Sequence, residues 1–306
     1  MKAPTVSSFD LDAYLGKQSR LIDEALKSHL GQFPAGLQTL FGALHYGVFP
    51  GGKRIRPILT LAAGELFGGE PKILLPFACA VEMIHAYSLI HDDLPALDND
   101  DLRRGQPTAH RIFGEGMALL AGDGLLTEAF RIISAPELLE QLPAAKLLNA
   151  LHQLSYAAGV CGLVGGQAFD LEAENRTVDI AAVELIHARK TGALMHASVR
   201  LGAEIAGAGG EELASVCRYG VNFGLAFQIA DDILDAQGGT GVGKGAESGR
   251  NEKRKATYPA VAGMGESRAR LRELLSRCDD ALAPFGARAA ALKAIAAHVA
   301  GRTVYT

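Results

Sequence analysis

Residues 73–105 read ILLPFACAVEMIHAYSLIHDDLPALDNDDLRRG, and the way this stretch breaks decides the architecture. It opens as a long apolar run, interrupted by Pro76, Glu82 and His85 and rich in the residues that favour helix. It then turns abruptly acidic. Asp92 and Asp98 are six positions apart, about 240° around a continuous helix, so on such a helix they would not share a face. Pro95 argues against continuity, because the residue before a proline is pushed out of the α region. The helix is therefore expected to end near Asp93, with the chain folding back to set Asp98 beside Asp92. Asp100 and Asp101 follow, then Arg103 and Arg104. Carboxylates at a helix C-terminus face the negative pole of the macrodipole, which is unfavourable unless cations offset it.

A second acidic cluster, Asp231-Asp232-Ile233-Leu234-Asp235, also follows an apolar helix-like run, residues 219–229. Asp231 and Asp235 share a helix face, and Asp232 points more to the side. Gly220 and Gly224 permit another helix to come close. Two like charges on a mostly buried helix are costly without cations. Hard oxygen donors favour Mg²⁺, which keeps waters and shares its coordination with substrate phosphates. A single acidic run is usually a solvated face; two of them suggest a cavity where Mg²⁺ ions hold a polyphosphate.

Basic residues complete the pattern. Gly51-Gly52-Lys53-Arg54-Ile55-Arg56-Pro57 places three cations in a glycine loop that opens a helix, a favourable setting for an anion. Arg103 and Arg104 offer bidentate phosphate contacts. Lys190-Thr191-Gly192 lies in an otherwise helical stretch. Its glycine either loosens the helix, exposing a carbonyl and a hydroxyl, or produces a mild kink. Gln167 and Asp170 share a face of another helix, as supporters of a ligand or as ordinary polar residues. Gln228 lies one turn before Asp231 and reads equally as a ligand contact or a satisfied core amide. His85 falls on nearly the same face as Asp92, although an isolated histidine there is more often a core residue. Residues 238–256 are glycine-rich and charged, either a solvated loop or a lid over phosphates.

Composition excludes several classes. The 306 residues are 48% hydrophobic, ample for a sizeable core, and carry a net charge of −4, which argues against general nucleic-acid binding. Apolar residues recur at three- and four-residue steps and no run of alternating β-branched residues stands out, so the chain reads as all-α. No composition shift divides it, and residues 1–306 are expected to form a single domain. The four cysteines form no CxxC pair, which fits a reducing compartment. No signal peptide is expected at the N-terminus, and the interruptions in residues 73–90 argue against stable membrane insertion. A cytoplasmic protein is expected.

Taken together and in this order, these motifs resemble the trans-isoprenyl diphosphate synthase family, most closely its bacterial farnesyl diphosphate synthases. The resemblance runs from Gly51–Pro57 through His85–Pro95, Asp101–Gly105, Gly166–Leu171, Lys190-Thr191-Gly192, Phe227–Asp235 and Gly243-Lys244 to Lys255-Ala256-Thr257-Tyr258-Pro259. It implies a bundle of long antiparallel helices around a deep central cavity, usually a homodimer. It also implies three Mg²⁺ ions held by Asp92, Asp98 and Asp231, with Asp93 and Asp235 assisting. Arg103, Lys190 and Lys244, with Lys255 nearby, would bind the allylic diphosphate. Lys53, Arg56, His85 and Arg104 would hold isopentenyl diphosphate. Thr191, Gln228 and the Lys190 carbonyl would face a developing carbocation, with Gln167 in support. The chain departs from the family after Gly243-Lys244, where an aspartate is common and Glu247 stands here, and at its non-basic C-terminus.

Product length follows from geometry. Ser88 and Tyr87 lie about one turn before Asp92, deeper along the same helix. A tyrosine there is either ordinary packing or a floor that stops chain growth. Pro95-Ala96 adds length inside the first acidic motif, as in the farnesyl enzymes, so a C15 product is favoured over a geranyl or geranylgeranyl one. A His-Asp metal phosphohydrolase using His85, His91-Asp92 and His110 is the weaker alternative. It leaves the second acidic motif and Lys190-Thr191 unexplained.

Overall fold

The computed structural model describes residues 9–31, 36–49, 51–238 and 256–304. Lys244 and Lys255, expected near the phosphates, lie outside the described residues, as does the glycine-rich segment between them.

The described chain is almost wholly helical. Helices α1 (Leu11–Leu30), α2 (Gln38–Val48), α3 (Ile55–Leu66) and α4 (Pro71–Asp92) come first. A short ribbon, β1 (Leu102–Arg103) and β2 (Gln106–Pro107), leads into α5 (Ala109–Phe113), α6 (Glu115–Ile133), α7 (Pro136–Leu139), α8 (Ala144–Ala158), α9 (Leu163–Ala173) and α10 (Ile180–Ile186). A π-helical turn, His187–Gly192, joins α10 to α11 (Ala193–Ile205). Then follow α12 (Gly210–Ala236), α13 (Tyr258–Ala262), α14 (Met264–Leu282) and, after a 3₁₀ segment, α15 (Ala290–Val304).

The central helix is α4. It packs along α6 on one side and α3 on another, and its residues are buried nearly all round, from Phe77 to Ile90. That explains why its sequence shows no amphipathic stripe. It is long and apolar enough to cross a bilayer, but most of its surface is taken up by the rest of the bundle. The other half of the bundle is built on α12, packed against α11 and α14. Tyr219 and Phe223 stack within its buried face, ring centroids 5.5 Å apart. One continuous apolar core joins the two halves.

Among the described residues, the ribbon is a feature that the helical reading misses. Two residues per strand carry no alternation to detect. Its turn is Arg104-Gly105, with φ of 53° and 77°. A two-residue turn with both φ positive matches the natural twist of paired strands.

Candidate active site

Helix α4 ends at Asp92, and the amide of Asp98 donates to the Asp92 carbonyl at 2.8 Å. The proline-driven reversal thus brings the two aspartates of the first motif together. Asp93 is turned inward and buried, and the Arg103 guanidinium donates to both of its oxygens, at 2.7 and 2.9 Å from Nε. Burial pushes the Asp93 carboxyl above its ordinary pKa, and Arg103 opposes the shift. In this structure the Asp93 oxygens serve Arg103, which the ribbon carries back across the end of α4.

The glycine loop before α3 is held by Arg54, the middle one of its three cations. Arg54 adopts φ 47° and is buried. It donates to Glu82 of α4 at 2.6 Å, to Asp23 of α1 at 3.0 Å and to the Val48 carbonyl at 2.8 Å. This clasp binds three helices and fixes the residues on either side, exposed Lys53 and half-buried Arg56. Arg104 donates to the Gly51 carbonyl, so the ribbon also closes onto this loop.

The result is a concentration of cations. Burial lowers the Arg56 pKa, and the Arg104 charge lowers it further, against the opposing fields of Glu82 and Asp231. His85 is held well below the ordinary histidine range by burial and by Arg56, Arg104, Arg103 and Arg54. Arg56 Nε is buried without a hydrogen-bond partner. Buried donors are rarely left unpaired, and a cluster of like charges with an orphaned donor fits an anion.

The second motif lies in the last turns of α12. Asp231 sits close enough to Arg56 for its charge to be felt there, and Asp235 is exposed near the helix end. Asp232 is buried. One of its oxygens accepts from Gln228 Nε2 at 3.1 Å, and the other from the Tyr258 amide at 2.8 Å. His187 Nε2 stands 3.3 Å from that second oxygen. The Thr191 hydroxyl donates to Gln228 Oε1 at 2.8 Å. Thr191 and Gln228, distant in sequence, therefore form one chain.

Lys190 and Thr191 lie on the π-helical turn, where the widened helix satisfies the expectation of a loosened segment. Such turns are frequent at functional sites. Lys190 Nζ donates to Asp170 of α9 at 2.6 Å, and Gln167 Oε1 on the same helix is buried without a partner. Two glycines make the turn possible. A Cβ on Gly166 would come within 2.1 Å of the Lys190 nitrogen, and one on Gly224 within 2.7 Å of the Gly192 Cα.

Tyr87 is buried, its ring edge-on to His91 at 5.7 Å, and its hydroxyl has no partner. Burial and the Asp92 charge push its pKa up to about 12. The Ser88 hydroxyl is turned back onto its own helix, donating to the His85 carbonyl at 2.8 Å. A small recess opens beside the ribbon. Its wall carries Asp93, Arg103 and Arg104 but neither Asp92 nor Asp231.

Among the described residues no three His, Cys, Asp or Glu side chains converge closely enough to enclose a metal by themselves. The acidic donors still fit Mg²⁺, which takes one or two carboxylates and completes its octahedron with water and substrate phosphate. The three histidines of the phosphohydrolase alternative diverge. His85 faces the arginines, His91 bonds the Leu119 carbonyl, and His110 bonds Thr108. The sequence carries no sign of His187 or of the Glu184–Arg270 pair beneath Tyr258, and its motifs name Tyr258 without a role. The Thr257-Tyr258-Pro259 string was the available signal, since Pro259 starts a helix there.

Comparison with known proteins agrees with this geometry. Residues 37–284 match the Polyprenyl synthetase family. A dimethylallyltranstransferase of Fischerella ambigua is 44% identical over 98% of this chain and 86% of its own. A farnesyl diphosphate synthase of Geobacillus stearothermophilus is 43% identical over 87% of this chain and 89% of its own. Among solved structures, an apo FPP/GFPP synthase from Zymomonas mobilis superposes with a TM-score of 0.85 at 36% identity, covering 94% of this chain and 98% of that one.

Proposed function

The chain belongs to the polyprenyl synthetase family, and from that premise we propose that it condenses isopentenyl diphosphate with dimethylallyl or geranyl diphosphate to give farnesyl diphosphate. It is a prenyltransferase of the farnesyl diphosphate synthase type, and its family requires a divalent metal. The observation that carries the reading is the Arg56–His85–Arg104 cluster, with its orphaned guanidinium donor, set beside the two aspartate motifs. One face offers cations to a diphosphate; the other offers carboxylates to metal-bound phosphate.

We assign the metal to Mg²⁺, three ions, held by Asp92, Asp98 and Asp231 with Asp235 at the rim. When bound, Mg²⁺ neutralises the allylic diphosphate and makes it a better leaving group. Asp93 acts by holding Arg103 toward that diphosphate, with Lys190, Lys244 and Lys255 as further cations. Lys53, Arg56, His85 and Arg104 pin isopentenyl diphosphate so that its double bond lies near the allylic carbon. As the allylic C–O bond breaks, oxygen dipoles of Thr191, Gln228 and the Lys190 carbonyl face the cation. The isopentenyl double bond attacks it, a C–C bond forms, and a proton leaves to the departed diphosphate. The apolar walls keep water from the cation.

Tyr87 limits the chain to C15. The assay is dimethylallyl diphosphate and labelled isopentenyl diphosphate with Mg²⁺, against an Asp92→Ala control. Farnesyl product is expected, falling by at least about a hundredfold in the control, on the scale of losing one oriented stabilising group. In the same assay Tyr87→Ala is expected to give longer chains; unchanged C15 output would remove its role as a floor. Phosphate release without condensation would sink the whole reading.

A homodimer is proposed from exposed apolar residues on α6 and α8, Leu119, Leu120, Leu148 and Tyr156. The single core supports one domain over residues 1–306. All four cysteines are free, which fits the reducing cytoplasm.

A further inference from the structure

We propose that Asp232 is a positioning residue that sets the polarity of the Thr191 hydroxyl, and through it the charge preference of the site. The inference rests on the prenyl-transfer reading, but the argument starts from hydrogen-bond capacity. A carboxylate accepts and cannot donate. One Asp232 oxygen faces the Gln228 amide, so the Gln228 group turned toward it must be the NH₂. The Gln228 carbonyl oxygen is therefore left pointing at Thr191. An amide oxygen also accepts only, so the single Thr191 hydroxyl hydrogen is committed to it. What Thr191 has left to offer a ligand is lone pairs.

The direction of the whole chain is thus fixed at its far end. Asp232 is held by donors on its second oxygen, the Tyr258 amide and His187 Nε2. It is buried with Thr191 close by in the same network. The sequence Asp232–Gln228–Thr191 presents partial negative charge where a cation would develop. Asp232→Asn breaks this rule with little change in shape. The new amide can offer its own NH₂ to Gln228, the Gln228 amide can turn over, and Thr191 can accept from it and swing its hydrogen toward the cavity. The dipole that faced the cation would then be reversed.

Two diphosphates of nearly equal shape read this out by calorimetry in Mg²⁺. One is 2-(dimethylamino)ethyl diphosphate, which carries an ammonium in place of the tertiary carbon. The other is 3-methylbutyl diphosphate, which is neutral there. Their affinity ratio cancels effects on diphosphate and metal binding. Wild type is expected to favour the ammonium probe, and Asp232→Asn to cut that preference about tenfold.

Loss of the Asp232 charge alone would also weaken cation binding, so the cycle with Thr191→Val decides. If Asp232 works through the chain, it has no polarity left to set once the Thr191 hydroxyl is gone, and Asp232→Asn changes the ratio less than about twofold in that background. Equal effects in both backgrounds would overturn the proposal while leaving the prenyl-transfer reading intact. A wild type without any preference for the ammonium probe would overturn both. Should Asp232→Asn lose its helical circular dichroism, Gln228→Met interrupts the chain one link earlier and enters the same cycle with the same two readings.

Discussion

His85 is a histidine among arginines. Arg54 and Arg56 approach it from the start of α3, Arg103 and Arg104 from the ribbon, and burial adds to their effect. The native site therefore refuses a proton that the unfolded chain accepts below about pH 6.5. The sign follows from that difference. Stability is intact above pH 6.5 and falls as the pH drops toward the depressed native value, by up to about 1.4 kcal/mol per pH unit for one proton. Lowered values at His29 and His196 add to the trend. His85→Gln is expected to flatten the fall in Tm between pH 6.5 and 5 without diphosphate present; parallel curves for the two proteins in scanning calorimetry would contradict it. The types of the site residues were legible because aspartates, arginines and a lysine-threonine pair announce their chemistry. Their directions were not. Asp93 and Asp92 are neighbours in sequence, yet only the return of the ribbon decides that Asp93 meets Arg103.

The helices explain the next layer. Helix α4 stops where Pro95 requires, and that boundary was readable because a local steric rule sets it. The π-helical turn was only half readable. Gly192 signals looseness, but the widened turn depends on close approach by α9 at Gly166 and α12 at Gly224. Neither glycine is near residues 187–192 in sequence. Gly224→Ala would drive a methyl group against the Gly192 backbone, which has no side chain to move aside. Overpacking of this kind costs about 1–3 kcal/mol. The displacement would part Thr191 from Gln228, so kcat is expected to fall by an order of magnitude or more while the fold survives. Far-ultraviolet circular dichroism and steady-state kinetics measure the two effects separately; full turnover at lowered Tm would mean that the turn tolerates displacement.

Across the whole molecule, the all-α class was legible from the periodicity of apolar residues, whereas the central place of α4 emerges only from its burial on all sides. The exposed apolar residues on α6 and α8 were not foreseen, because Leu148 looks like any core leucine until its 69% exposure is known. If these residues form a subunit contact, Leu148→Glu is expected to convert a dimer to a monomer in light scattering after gel filtration, with helicity retained. A dimer unaffected by the change would move the interface elsewhere. The Arg56 and Arg104 charges repel one another until an anion lies between them. A diphosphate at a hundred times its dissociation constant adds about 2.7 kcal/mol to the folded state. The unfolded fraction open to proteases then shrinks about a hundredfold. On the proposed function, a cell rich in precursor would keep the protein and a starved cell would degrade it sooner, so the same cluster of arginines would tie the protein's lifetime to supply.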